Sequence, residues 1–232
     1  MHPLQTEPIK PAIEGIAAAR VHGRYLVVPS DATGPAPLLI GFHGYGEAAE
    51  EQLDRLRAIP GSEHWLCVSI QGLHQFYQRS SNRVVASWMT RQNRELSIAD
   101  NLAYVTTCLD ATAADYATLP KIVFAGFSQG VGMAFRAAAH SALGAVNVIA
   151  AGGDIPPEIA PAALANVSAA LIARGSSDGW YSKEKFAEDE RRLRNSSVNV
   201  RALPFSGGHE WSAEVIEAAG QFLRELLPHH GK

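Results

Sequence analysis

Ser128 stands in Gly126-Phe127-Ser128-Gln129-Gly130, with a glycine two residues to either side of a hydroxyl that could attack a carbonyl carbon. Residues 122–125 before it form a short apolar run suited to a buried strand. The small-residue run towards Ala139 has the composition of a tightly packed helix. A strand-to-helix turn this sharp brings the flanking chains so close that side chains at the glycine positions would collide. It also strains the serine backbone and lifts the hydroxyl above the sheet edge. G-x-S-x-G alone also occurs by chance in ordinary capped turns, so the chemistry depends on partners elsewhere in the chain.

A serine hydroxyl is a weak nucleophile until a base takes its proton near neutral pH. His209 is the favoured base, because it follows an apolar run in the loop Gly207-Gly208-His209 and can swing back towards Ser128. Of the other histidines, His43 reads as structural, His64 and His74 flank a strand, and His229 and His230 belong to the tail. The base in turn needs a carboxylate to fix its tautomer and stabilise the imidazolium. Asp178, after ALIARGSS, gives the chain order Ser, Asp, His. Asp154, one strand earlier, is the competitor, and turn capping is the plainer role for either. A tetrahedral intermediate needs amides already aimed at its oxyanion. The N–H of Gln129, directly after the serine, is one. Tyr45 N–H is the expected second, since Gly44 and Gly46 let that backbone turn inward.

The elements that must position these groups alternate between strand and helix. Strands are expected at Tyr25–Val28, 38–42, Leu66–Ile70, 122–125, 146–150, 170–173 and 198–203. Helices are expected after residue 46, from a cap at Ser97 with Ile98, Leu102, Val105 and Leu109 on the buried face, after Ser128, at 182–194 and at 212–227. That rhythm demands an α/β chain with a mostly parallel central sheet and helices on both faces, its reactive groups collected at the strands' C-terminal ends. Residues 73–96 break the rhythm. They hold Phe76, Tyr77 and Trp88 with Arg79, Arg83, Arg91 and Arg94 against one acid, Glu95, and read as an irregular lid or substrate loop. Residues 1–13, with three prolines, read as an arm, and no seam divides residues 1–232 into more than one domain.

Composition narrows the function classes. Net charge is −3, which gives no case for nucleic acid or an anionic membrane surface. No apolar run approaches a membrane span or a signal h-region. Cys67 and Cys108 read as buried free thiols in a reducing compartment, hence a cytoplasmic location. No HExxH, paired CxxC or clustered carboxylates point to a metal.

Together LIGFHGYGE, GFSQGVGMA, RGSSDGWYS and GGHEW resemble segments of the phospholipase/carboxylesterase family of α/β-hydrolases, the group containing acyl-protein thioesterases, over roughly residues 38–227. The resemblance implies an α/β-hydrolase fold, with Ser128 as nucleophile, Asp178 as acid, His209 as base and the amides of Tyr45 and Gln129 as oxyanion hole. It implies ester or thioester hydrolysis through an acyl-enzyme, with no metal or organic cofactor. Val131 stands where many members carry a second glycine, and residues 73–96 match no acyl-channel loop of the family. The expected activity is that of a serine carboxylesterase on small to medium acyl esters. The alternatives are a lysophospholipase or acyl-protein thioesterase, and a non-catalytic binding module on the same fold. The expected partner is a small-molecule ester, with Arg79, Arg83, Trp88 and Trp180 as candidate substrate contacts and the arginines favouring a negative group. No stable membrane insertion is expected. Oligomeric state is left open, with a homodimer one option.

Overall fold

Side-chain alternation along the central strands decides which helices cover which face. The computed structural model describes residues 12–141 and 146–227. In chain order these form β1 (Tyr25–Val28), β2 (Ala36–Phe42), α1 (Ala49–Arg57), β3 (Leu66–Ile70), β4 (His74–Gln78), β5 (Arg83–Ser87) and α2 (Arg94–Asp115). Then follow β6 (Thr118–Phe127), α3 (Gln129–His140), β7 (Val146–Ala151), α4 (Pro161–Leu164), β8 (Val167–Gly175), α5 (Lys183–Asn195), β9 (Asn199–Phe205) and α6 (Ala213–Leu226). Most of the expected arm, and His229 and His230, lie outside the described residues.

Seven strands form one sheet in the order β1-β3-β2-β6-β7-β8-β9. Only the edge strand β1 runs antiparallel. Ile122 and Phe124 of β6 join Ile40 of β2 in the core under α2, α3 and α5. Val123 and Ala125 join Leu39 in the core under α1 and α6. Helices therefore lie on both faces, and the period of two within each strand assigns every residue to one of them. The chain starts at the edge in β1, crosses to β2, steps back to β3 between them, and then passes to β6 on the other side of β2. This reversal places the C-terminal ends of β2 and β6 side by side, with Phe42 paired to Gly126. A crevice at such a switch point is where an open α/β sheet presents its reactive groups.

Two expectations need correction. Residues 73–96 are not irregular: β4 and β5 form an antiparallel hairpin, with Phe76 opposite Val85 and Tyr77 opposite Val84. Aromatic and β-branched cross-strand pairs supply its stability, and Asn82 closes its turn at φ 53°. The helix α2 begins at Arg94 rather than at a Ser97 cap, and its buried stripe is Ser97, Asn101, Val105, Cys108 and Thr112. That stripe carries polar side chains that bond to backbone carbonyls, which hides it from a reading based on apolar spacing. Asn101 Nδ2 donates to Trp88 O and Ser97 O, both at 2.7 Å, and Thr112 Oγ1 donates to Cys108 O at 2.8 Å. Cys67 and Cys108 are free and buried, and burial pushes the Cys67 thiol up to about 12.

Candidate active site

Ser128 sits between β6 and α3 with φ 52° and ψ −119°, a backbone conformation that side chains rarely tolerate. Its flanking glycines answer the crowding expected of the turn. A Cβ on Gly126 would lie 2.5 Å from Gly130 O, and one on Gly130 would lie 2.0 Å from Phe42 O in the neighbouring strand. Ser128 N–H donates to Ala151 O at 2.9 Å, tying the turn to the end of β7. Val131 is fully buried in the first turn of α3.

The sequence placed a histidine and an aspartate at the ends of later strands, and the structure brings both to Ser128. His209 Nε2 lies 2.9 Å from Ser128 Oγ, and His209 Nδ1 lies 2.9 Å from Asp178 Oδ2. The loops carrying them are fastened together by backbone bonds, Ser176 N–H to Phe205 O and Ser177 N–H to Gly207 O, both 2.8 Å. Asp178 is 5% exposed, and its Oδ1 accepts from Trp180 N–H at 2.8 Å and Tyr181 N–H at 3.0 Å. Burial alone would push this carboxyl up. The Tyr181 amide, the His209 ring and the Trp180 amide outweigh burial and hold it below the ordinary carboxylate range. An ionised Asp178 requires the ring proton on His209 Nδ1, which leaves Nε2 free to accept from the serine hydroxyl. The competitor Asp154 is half-exposed and ion-paired with Lys185 at 3.1 Å.

The loop after β2 is pinned on both sides of Tyr45. Gly44 N–H donates to Glu47 Oε2 at 2.7 Å, and Gly46 N–H donates to Ala86 O of the hairpin at 2.9 Å. Among the described residues, Tyr45 N–H meets no protein acceptor. Gln129 N–H is the first of the donors at the start of α3 that have no partner within the helix. These two amides are the donors expected from the sequence, and the pairing of Phe42 with Gly126 sets their loops next to each other. His43 is fully buried. Its Nε2 accepts from Gly72 N–H at 2.9 Å, so its proton sits on Nδ1, 2.6 Å from Gly44 O. Burial lowers its pKa, and its place under the loop makes it structural, as expected.

The candidate substrate contacts fare differently. Trp88 is fully buried against Phe42 and His43, with Nε1 donating to His43 O at 2.8 Å, so it braces the site from inside and cannot meet a substrate. Arg83 is engaged by Glu51 of α1. Arg79 lies in the hairpin turn, a full strand length (about 16 Å) from the end that meets Gln129. Trp180 is 80% exposed, two residues from Asp178. Sequence reasoning missed Glu47, Arg55 and Phe127. Glu47 bonds Arg55 eight residues on, the Arg55 guanidinium lies 4.3 Å over the Phe127 ring, and that ring meets His209 at 5.1 Å. No local spacing signals such a chain of contacts. A cavity of about 450 Å³ beside His209 is lined by these residues together with Glu51, Asp54, Glu210 and Trp211. An apolar cavity of about 560 Å³, lined by Leu38, Leu102, Ile122 and Ala137, sits at the opposite end of the sheet from Ser128. Among the described residues no group of three or more His, Cys, Asp or Glu is placed to hold a metal ion, and no helix is long and apolar enough to cross a membrane.

Residues 24–227 match the model of a family described as Phospholipase/Carboxylesterase. A search of curated proteins finds no match. Among solved structures, the chain is similar to Bacillus cereus carboxylesterase, at 18% identity and TM-score 0.71 over 88% of this chain and 95% of that one. It is similar to Zea mays acyl-protein thioesterase 2, at 18% identity and TM-score 0.69 over 89% and 100%. It is also similar to esterase PE8, at 21% identity and TM-score 0.67 over 89% and 100%. At these identities the likeness is one of fold, that of the α/β-hydrolases.

Proposed function

This chain belongs to the phospholipase/carboxylesterase family, and we propose that it acts as a serine carboxylesterase on small to medium acyl esters through a covalent acyl-enzyme. The observation that carries this reading is the relay Asp178–His209–Ser128, with two contacts of 2.9 Å and the hydroxyl on a strained turn. Ser128 Oγ attacks the ester carbonyl carbon while His209 Nε2 takes its proton. The charge that develops on the carbonyl oxygen is met by the N–H groups of Tyr45 and Gln129. As the intermediate collapses, His209 returns the proton to the leaving alkoxide, and the acid portion stays on Ser128. Water then attacks the acyl-enzyme with His209 as its base, releasing the carboxylic acid and restoring the hydroxyl. Asp178 stays ionised throughout and stabilises the imidazolium.

Hydrolysis of p-nitrophenyl esters from acetate to palmitate, wild type beside Ser128→Ala, tests the reading. Turnover by the wild type that is lost in the variant, with a short to medium chain-length optimum, is the expected result. A rise in activity up to palmitate would favour a lysophospholipase or acyl-protein thioesterase instead. A wild type inert to every ester and to a fluorophosphonate probe would overturn the mechanism and favour a binding module.

A further inference from the structure

The side chain of Gln129 is bound to the segment that leaves the hairpin after β5. Its Oε1 accepts from Trp88 N–H at 2.9 Å and its Nε2 donates to Met89 O at 3.0 Å. The carboxamide thus meets one backbone donor and one backbone acceptor, as a neighbouring peptide group would. Ser87 Oγ lies 3.2 Å from both ends of the carboxamide and donates to Met89 O at 2.9 Å. Just before this point the same strand holds the other loop of the site. Ala86 N–H donates to Glu47 O at 2.8 Å, and Ala86 O accepts from Gly46 N–H at 2.9 Å. Trp88 is itself fixed, through Nε1 to His43 O and through its carbonyl to Asn101 Nδ2. Four consecutive residues, 86–89, therefore grip the loop that carries Tyr45 on one side and the residue after Ser128 on the other.

From this geometry we infer that the Gln129 side chain is a positioning residue for the oxyanion hole, setting its own N–H against that of Tyr45 by tying both to residues 86–89. The inference rests on the esterase reading above. The carboxamide must both accept and donate. Gln129→Met keeps the length and loses both bonds. Gln129→Glu keeps an acceptor for Trp88 N–H but sets a carboxylate against Met89 O. Preorganised donors are effective only where the oxyanion will form, so a shift of one of them costs turnover more than binding.

The test compares a p-nitrophenyl ester with its thiono analogue, which carries sulfur where the carbonyl oxygen would enter the hole. Sulfur is a weak acceptor, so the ratio of ester to thionoester kcat/KM reads the two amides and little else. In both variants the ester kcat should fall about 10- to 100-fold with KM within about twofold. The thionoester should lose far less, so that the ratio collapses. Thermal melts identify a variant that has failed to fold, and the other variant then carries the test. Unchanged ester turnover and an unchanged ratio in a folded variant would overturn the inference, as would parallel losses on both substrates, which indicate general disruption. A wild type that hydrolyses no ester would instead be a failure of the esterase reading.

Discussion

Arg55 holds its guanidinium 4.3 Å over the ring of Phe127, the residue before the candidate nucleophile. The same guanidinium grips both oxygens of Glu47, at 2.6 and 2.5 Å, and Glu47 Oε2 accepts from Gly44 N–H. One side chain of α1 thus braces the loop before Tyr45 and the ring beside His209. Burial would push the Glu47 carboxyl up, and Arg55 outweighs it and keeps it low. Arg55→Ala leaves that carboxylate four-fifths buried without its partner, which should cost about 1–3 kcal/mol of stability. A lowered carboxylate supports the fold above its unfolded value of 4.5 and loses that support as pH falls through the folded value. Without Arg55 burial is left to raise the carboxyl, so the support at neutral pH is lost and the variant's deficit against wild type shrinks as pH falls through the acid range. Thermal melts and kcat across mildly acid pH check this. An unchanged profile would mean that the brace is incidental.

Asp178 and Asp154 can be separated by one pair of variants. Asp178→Asn keeps the shape but leaves no carboxylate at His209 Nδ1, and kcat should fall by roughly 10²–10⁴. Asp154→Ala removes a half-exposed partner of Lys185 and should leave kcat within about twofold. Comparable losses in both variants would mean that the acid has been wrongly assigned.

The candidate site was legible in the sequence wherever its residues sit on glycine-marked turns. Gly126 and Gly130 announce the Ser128 turn because Cβ atoms there would strike backbone. The His209 loop is marked by Gly207 and Gly208, whose carbonyls a Cβ on Gly175 would strike at 2.7 and 2.1 Å. The parallel sheet followed from the alternation of apolar runs with helical patterns, and β1 and β3 were placed to the residue. What stayed hidden depends on pairing between distant segments. The hairpin of β4 and β5 carries four arginines and a polar turn in and around it, so its cross-strand pairs are outweighed in composition. Trp88 looked like a surface contact because its burial comes from Phe42 and His43, more than forty residues away. The buried stripe of α2 includes Asn101 and Thr112, polar residues that apolar spacing does not mark as inward, Asn101 bonding across to Trp88 O and Thr112 to Cys108 O.

Ser128 itself carries a stability cost. A non-glycine residue at φ 52° and ψ −119° stores about 1–3 kcal/mol, and glycine adopts the region freely. Ser128→Gly should abolish ester turnover while raising the melting temperature by about 2–12 °C, the shift expected from such an energy in a chain of this size. Circular dichroism melts of the variant beside Ser128→Ala separate strain from the loss of the hydroxyl. An equal melting temperature for both variants would place no strain at the turn.

Asp189 gives the fold a pH dependence away from the nucleophile. Its buried carboxylate accepts from Ile155 N–H and Tyr181 O–H, both at 3.0 Å, with Arg192 at 3.6 Å. Burial raises its pKa from 3.8 to about 6 against these partners, with nearby Asp154 adding to the rise. An acid raised in the folded state binds its proton there first, so stability increases as pH falls from about 6 towards 4. Above that window the ionised form costs on the order of 3 kcal/mol. His43, whose pKa burial lowers, acts in the opposite sense, because the unfolded chain then binds more protons. Asp189→Asn retains His43 and an oxygen for Tyr181, so the difference between the two proteins isolates Asp189. The wild type should gain melting temperature relative to the variant as pH falls from about 7 to about 4.5, with the variant favoured at the upper end. A difference that stays constant across the range would mean that Asp189 does not titrate there, and that the polar contacts of Tyr181 and Ile155 have offset its burial.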